Sequence, residues 1–395
     1  MTNHFKNMLY LFAANAVGTN PQIEGEIDVE EIRRLSVEQG IWSMVYPELA
    51  KVADASKYQM SFFKTVSQGI VRKEFNLNII KKLEDAGIKC CILKGAAISC
   101  LYKDPECRIS GDTDILIDTD DEKRALRVLE ENGYRVEDRD TYDHDTKAIH
   151  PVGGLLEVHI SMCNDITKRV IFGGLEMYQE PWSQIEIDGK TYNTLGINDG
   201  MVYLTAHFIK HLINDGGGVR QMMDLLLYMK TNEDKIDFAK SNKIMRELKY
   251  DKVVEAIKTI GGKYFGLDFE VTEEALADRL LDDTEEGGIF GFEADDRGQF
   301  YKIYCDKRAT AGDKYKSLIS LKSDRNIVAK LFPSSKRLVE YLGYGYAKNK
   351  LLVPVAWIHR YFDILTGRRK KFNNDSQTEG FKNRMQMMKD LGMID

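Results

Sequence analysis

The stretch Ile88–Asp118, IKCCILKGAAISCLYKDPECRISGDTDILID, decides the fold. It reads as a strand, a Lys94-Gly95 corner, a short helix, a loop, and a second strand that opens on Asp112 and Asp114. Side chains alternate faces along a strand, so both carboxylates project together from an otherwise apolar run, Ile115-Leu116-Ile117. Like charges that close repel unless a cation lies between them. Hard divalent cations such as Mg²⁺ take oxygen ligands and keep positions open for substrate phosphates. The stretch is therefore expected to form a metal–phosphate site.

Asp-x-Asp by itself also occurs in solvated turns and calcium loops. A calcium loop of the EF-hand kind starting at Asp112 needs Gly at its sixth position and Glu at its twelfth. Those positions hold Ile117 and Lys123, which excludes it. The neighbouring residues favour phosphate. A helix opening at Lys94-Gly95 presents free backbone N–H groups, and Gly95 lets a phosphate approach closely. Arg108 and Ser110 stand just before the carboxylates. Farther on, Leu155–Ile160 reads as a strand in which Glu157 shares a face with His159, adding a third carboxylate.

Around this centre the chain alternates helix and strand up to about residue 195 and is helical beyond it. Residues 1–60 carry helical spacing, and Tyr58–Ala86 reads as a long helix stopped by Gly87. Asp120–Asn132 is expected to be an amphipathic helix and Tyr134–Val136 a strand. Asp140–His150 reads as polar connection before a Pro151–Gly154 turn. Trp182–Leu195 reads as a hairpin around Asp188-Gly189. Helices are expected at Asp199–Ile213, Val219–Lys230, Ser241–Ile260, Glu273–Leu281 and Phe381–Leu391, with a mobile acidic loop over 282–300. Pro333–Thr366 is apolar and aromatic at helical spacing. The expected organisation is an N-terminal helical segment (1–60), a mixed core (61–195) and a helical C-terminal domain (196–395), with a cleft between core and helical domain. The fold class is α+β.

With 43% hydrophobic and 30% charged residues, the chain has the composition of an ordinary globular protein. A net charge of −6 provides no global basic field, so non-specific nucleic-acid coating is not expected. No apolar run reaches the length of a membrane span, and the N-terminus does not read as a signal peptide. The six cysteines form no CxxC pair, which favours a reducing cytoplasm over a disulfide framework.

The run Leu93-Lys94-Gly95, Tyr102-x-Asp104-Pro105, Arg108, Asp112-x-Asp114-Ile115-Leu116 and Glu157-Val158-His159 resembles the nucleotidyltransferase superfamily related to DNA polymerase beta. Within it, the sequence is similar to the bacterial uncharacterised nucleotidyltransferase family, a likeness that extends to His207, His211, Gly218-Val219-Arg220 and Asp224 and covers roughly residues 60–230. The resemblance implies a small mixed sheet flanked by helices. It implies that Asp112, Asp114 and Glu157 are catalytic and bind Mg²⁺ (or Mn²⁺), and that Lys94, Gly95, Arg108 and Ser110 contact the nucleotide. It further implies transfer of a nucleoside monophosphate from an NTP such as ATP to an acceptor hydroxyl on a small molecule, glycan, RNA or protein. Superfamily members usually carry Gly-Ser or Gly-Gly at the phosphate corner, where this chain has Gly95-Ala96. Two other readings remain open: a catalytically inactive nucleotide- or partner-binding module of the same fold, and a metal-dependent glycosyltransferase.

Other features have plainer readings beside the sharp ones. His207 and His211 stand i, i+4 on a helix, a zinc-binding spacing, but neither HExxH nor a nearby Cys completes a site. Lining a cleft or packing is the simpler expectation. Arg220 and Asp224 have the spacing of a helical ion pair, with Arg220 alternatively reaching a phosphate. Glu157 has a structural alternative, pairing with Arg108. Residues 334–371 carry nine Lys or Arg against Glu340 and Asp363, read as a solvated basic segment rather than an RNA or glycan surface.

Overall fold

A short buried strand, Cys91–Ile92 (β1), lies inside a mixed sheet and follows the long helix Gln59–Asp85 (α4). The structure is a computed structural model and describes residues 1–137, 139, 144–162, 171, 180–214, 216–288, 345–365 and 379–394. Residues 1–304 with 380–395 form one compact unit and residues 305–379 a second.

The first unit begins with helices Asn3–Val17 (α1), Val29–Glu38 (α2) and Trp42–Val52 (α3), followed by α4 and β1. A single turn, Ala96–Ser99 (α5), leads through the Tyr102–Gly111 loop to strand Asp112–Leu116 (β2). Helix Glu122–Glu131 (α6) precedes strands Arg135–Val136 (β3), Asp145–His150 (β4), Gly154–His159 (β5), Ser183–Ile187 (β6) and Lys190–Thr194 (β7). Helices Ile197–Asn214 (α7), Val219–Thr231 (α8), Phe238–Glu247 (α9), Asp251–Tyr264 (α10) and Glu274–Gly287 (α11) follow. In the second unit, two 3-10 turns lead into Val353–Leu365 (α12), and Tyr346 Oη lies 2.9 Å from His359 Nδ1. Glu379–Asp390 (α13) closes the described chain. Much of the basic segment falls outside the described residues.

The sheet order among the described residues is β3-β4-β5-β2-β1-β7-β6. β2 pairs parallel with β5 and β1 parallel with β7, while β1 with β2 and β4 with β5 are antiparallel. This is the expected mixed sheet flanked by helices. It is not the long parallel sheet that a nucleotide-sugar glycosyltransferase would suggest. One face packs on α4 and α6: Leu77, Ile80 and Leu83 meet Ile92, Ile115, Ile117, Leu156 and Val158, with Ala125 and Leu129 beside them. Period two then sends Asp112, Asp114, Glu157 and His159 to the other face, toward α7 and α8.

Three readings are corrected. Asp145–His150 is a strand rather than polar connection, because only its alternate residues Thr146 and Ala148 are buried, too few apolar positions to signal β structure. Ser241–Ile260 is two helices, interrupted where Lys249 takes a left-handed φ of 58°. Residues 282–287 continue α11 instead of starting a loop, and buried Asp283 accepts from Arg384 of α13 at 2.9 Å. Residues 289–300 of that expected loop lie outside the described residues. Asp188-Gly189, both at positive φ, form the expected two-residue hairpin turn. No helix among the described residues is long and apolar enough to cross a membrane.

One buried ion pair ties the loop before β2 to α8. Arg108 donates to both oxygens of Asp224, Nε–Oδ1 at 3.1 Å and Nη2–Oδ2 at 2.5 Å, and Tyr102 Oη donates to Oδ1 at 2.7 Å. Asp224 thus pairs across the fold and not with Arg220, whose guanidinium donates to the Ile109 carbonyl at 2.7 Å. Removing one member of such a pair leaves the other charged and desolvated. Asp224→Ala is expected to lower unfolding stability by about 3–5 kcal/mol, read by urea denaturation; a change below about 1 kcal/mol would contradict the pairing. Burial also pushes the Cys90 and Cys91 thiols up to about 12. Only thiolates react with iodoacetamide. At pH 8 both cysteines should stay unlabelled in the native chain and label on unfolding, as read by peptide mass spectrometry.

Candidate active site

The parallel register of β2 and β5 sets Asp114 directly beside Glu157, with Asp112 beside Leu155. Register alone does not fix the strand ends; Asn76 of α4 does. Its buried amide donates to Thr113 Oγ1 and to the Gly153 carbonyl, each at 2.9 Å, while Tyr134 Oη donates to its oxygen at 2.5 Å. Thr113 lies between the two aspartates and Gly153 immediately precedes β5. One side chain therefore anchors both carboxylate-bearing strands. Gly153 is required for this, since a Cβ there would meet Asn76 Oδ1 and Tyr134 Oη at 2.7 Å.

Asp114 is 2% exposed. Its Oδ1 accepts from His159 Nε2 at 3.1 Å. Its Oδ2 has no hydrogen-bond partner, only the Lys94 ammonium at 3.3 Å. Burial raises its proton affinity, but Lys94 and the His159 hydrogen bond outweigh that and hold the carboxyl well below the usual range. Glu157 is pushed up to about 7, by burial first and then by Asp114, Asp145 and Asp112. Its Oε2 lies 3.8 Å from His159 Nε2, and Asp114, Glu157 and His159 bring donor atoms within 4.8 Å of one another. The Asp114 and Glu157 carboxylates in this cluster are oxygen donors that suit a hard divalent cation. Arg108, engaged by Asp224, is not the partner of Glu157.

Lys94 lies at the head of the site, 3.8 Å from Asp112 Oδ2 as well as 3.3 Å from Asp114 Oδ2. Burial opposes its charge, but Asp114, Asp112 and Glu157 prevail and its proton affinity is raised. Its ammonium also meets His207 Nε2 of α7 at 3.3 Å. Burial first, then the positive charge of Lys94, drives His207 well below the usual imidazole range, so the ring is neutral and accepts from Lys94. His207 packs edge-on against His211, with ring centroids 4.5 Å apart. Among the described residues neither ring belongs to a group of three metal-ligating side chains.

Gly95 takes φ +63°, the left-handed region glycine favours, where the chain turns into α5. A Cβ at Gly95 would meet Ser110 Oγ at 3.4 Å, so that hydroxyl lies against the corner. Arg108 Nη1 donates to Ser110 Oγ at 3.0 Å. Gly95, Arg108, Ser110 and Asp112 line one pocket with Arg72, Lys73 and Asn76 of α4. Sequence reasoning missed Asn76, the Asp224 pairing and the His207–Lys94 contact. Each is a contact between elements far apart in sequence, and no local pattern signals such a contact.

Structures similar to this chain include lincosamide antibiotic adenylyltransferase LnuA bound to lincomycin, 16% identical over 38% of this chain and 92% of that one, with a TM-score of 0.27. The antibiotic-resistance factor ANT(2″)-Ia is 13% identical over 47% of this chain and 90% of that one, TM-score 0.32. An antigenic nucleotidyltransferase-like protein from Paracoccidioides brasiliensis is 15% identical over 46% and 87%, TM-score 0.28. No curated protein matches the chain. The family model described as uncharacterised nucleotidyltransferase matches residues 25–266, more than half of the chain and the whole of the site just described. The chain belongs to the uncharacterised nucleotidyltransferase family.

Proposed function

We propose that the protein transfers a nucleoside monophosphate from an NTP to an acceptor hydroxyl, with Mg²⁺ or Mn²⁺ held by Asp112, Asp114 and Glu157. The observation that carries this reading is the register that sets Asp114 beside Glu157 on parallel strands, with the buried Asp114 Oδ2 facing only the Lys94 ammonium among the described residues. Divalent ions held by these three carboxylates would supply charge neutralisation for the phosphates of an in-line displacement. The acceptor oxygen bonds to the α-phosphorus, the bond to the β-phosphate bridging oxygen breaks, pyrophosphate leaves, and the hydroxyl proton goes to solvent.

The chain's own residues bind and orient. Lys94, carried by the β1–α5 corner and met by His207, supplies a positive charge for the phosphates. Gly95 permits their close approach, and Ser110 brings to the corner the hydroxyl that Ala96 lacks, held by Arg108. His159 donates to Asp114 and fixes the orientation of its carboxylate. Holding reactants in one geometry and aiming fixed charge at the transition state are the main contributions a protein makes to such a displacement.

Titration calorimetry with ATP, CTP, GTP and UTP in the presence of Mg²⁺ is expected to show metal-dependent binding of at least one nucleotide. The Asp112→Ala/Asp114→Ala variant should lose that binding, and any measured turnover should fall more than about 100-fold. Absence of metal-dependent nucleotide binding in the parent chain would count heavily against the proposal. Lys94 makes a finer test, because without nucleotide its ammonium competes with a divalent ion for Asp112 and Asp114. Lys94→Met should tighten Mn²⁺ binding to the nucleotide-free protein, by about tenfold, and weaken NTP binding. Movement of both affinities in the same direction would remove Lys94 from the phosphate site.

A further inference from the structure

We infer that His144, Asp145 and His159 form a second cation site, suited to a borderline transition metal such as Zn²⁺ and joined to Asp114 through the His159 ring. The site goes beyond the proposed nucleotidyl transfer and does not depend on it.

Asp145 of β4 and His159 of β5 are directly opposed in the antiparallel ladder, and His144 immediately precedes Asp145. The Ile160 N–H donates to the His144 carbonyl at 3.0 Å, which holds the start of β4 against the end of β5. The two imidazole rings stand 5.3 Å apart at 56°, and His144 Nδ1 is 3.4 Å from Asp145 Oδ1. One donor atom from each of the three residues lies within 4.8 Å of the others.

The independent sign of a ligand is His159 Nδ1. The residue is 5% exposed, and this nitrogen is buried without a hydrogen-bond partner, as is His144 Nδ1. Burying an unsatisfied polar atom costs about 1–3 kcal/mol, so two in one cluster call for a shared partner. Among the described residues nothing faces His159 Nδ1, and His144 Nδ1 has only Asp145 Oδ1 at 3.4 Å. Two imidazole nitrogens and one carboxylate oxygen, with a coordination position left over, make a donor set for Zn²⁺, Co²⁺ or Ni²⁺ rather than Mg²⁺. The Asp112, Asp114 and Glu157 carboxylates proposed above to hold Mg²⁺ would have the opposite preference.

His159 fits both neighbours. A ring that binds metal through Nδ1 keeps its proton on Nε2, and that N–H lies 3.1 Å from Asp114 Oδ1. Metal, imidazole and carboxylate in series are the usual way a ligating histidine is oriented. Here the carboxylate in the series is itself part of the proposed catalytic triad. Metal at the second site would therefore fix the tautomer that donates to Asp114.

The test uses the full chain and metal alone, without nucleotide. Zn²⁺ affinity is measured by competition with a chromophoric chelator, and ligand type by the visible and near-ultraviolet spectrum after Co²⁺ loading. The expected result is one tight site whose Co²⁺ spectrum lacks thiolate charge-transfer bands. His144→Ala and Asp145→Asn should each weaken it about tenfold or more, while Asp112→Ala leaves it within about twofold. The second variant changes a single atom at the sheet surface and guards against a His144→Ala chain that misfolds. No tight Zn²⁺ binding in the parent, thiolate bands, full affinity in both His144→Ala and Asp145→Asn, or equal loss in Asp112→Ala would each overturn the inference. None of these results bears on NTP binding, so the two proposals fail separately.

Discussion

Negative charge gathered on one sheet face is the constraint to which the rest of the structure answers. β2 and β5 lie parallel and in register, so Asp114 and Glu157 cannot move apart without breaking the ladder. The chain answers with cations and donors brought from elsewhere. Lys94 comes from the β1–α5 corner and His159 from the end of β5. The burial that packs Leu156, Val158 and Ile115 on the opposite face is what forces these carboxylates together. Hydrophobic packing thus supports a cluster that electrostatics alone would disperse.

The helices after residue 195 complete the site rather than merely adjoining it. α7 provides His207 to Lys94, and α8 provides Asp224 to Arg108 and Tyr102. A lysine among carboxylates and aimed by a neutral imidazole is placed by two elements more than a hundred residues apart in sequence. The Arg108–Asp224 pair likewise holds the loop that carries Ser110. The Lys94-Gly95 corner is thereby built from strand, loop and helix together.

Much of this could be read from local pattern. Alternation along Asp112–Leu116 and Leu155–Ile160 gives the shared carboxylate face, because period two leaves no other placement once Ile115 and Val158 go inward. Gly95 and the Asp188-Gly189 turn are legible because few residues accept their backbone angles. What escaped detection depends on contacts between distant elements. β4 has only Thr146 and Ala148 inward, a pattern no different from a polar loop until β5 is present to pair with it. Asn76 resembles any polar residue on a long helix. Asp224 has Arg220 at helical spacing, yet the buried Arg108 fork offers it two charge-assisted hydrogen bonds, and that geometry prevails.

Asn76 has one more consequence. It belongs to α4, a 27-residue helix whose first half is largely exposed, including Met60 and Phe63. Because its amide clasps the beginnings of two strands at once, any tilt of that helix would carry both openings with it, while the ladder keeps the acids beyond them in step. The inner half of the helix is thus a strut for two strand openings, and its outer half stands clear of them in solvent.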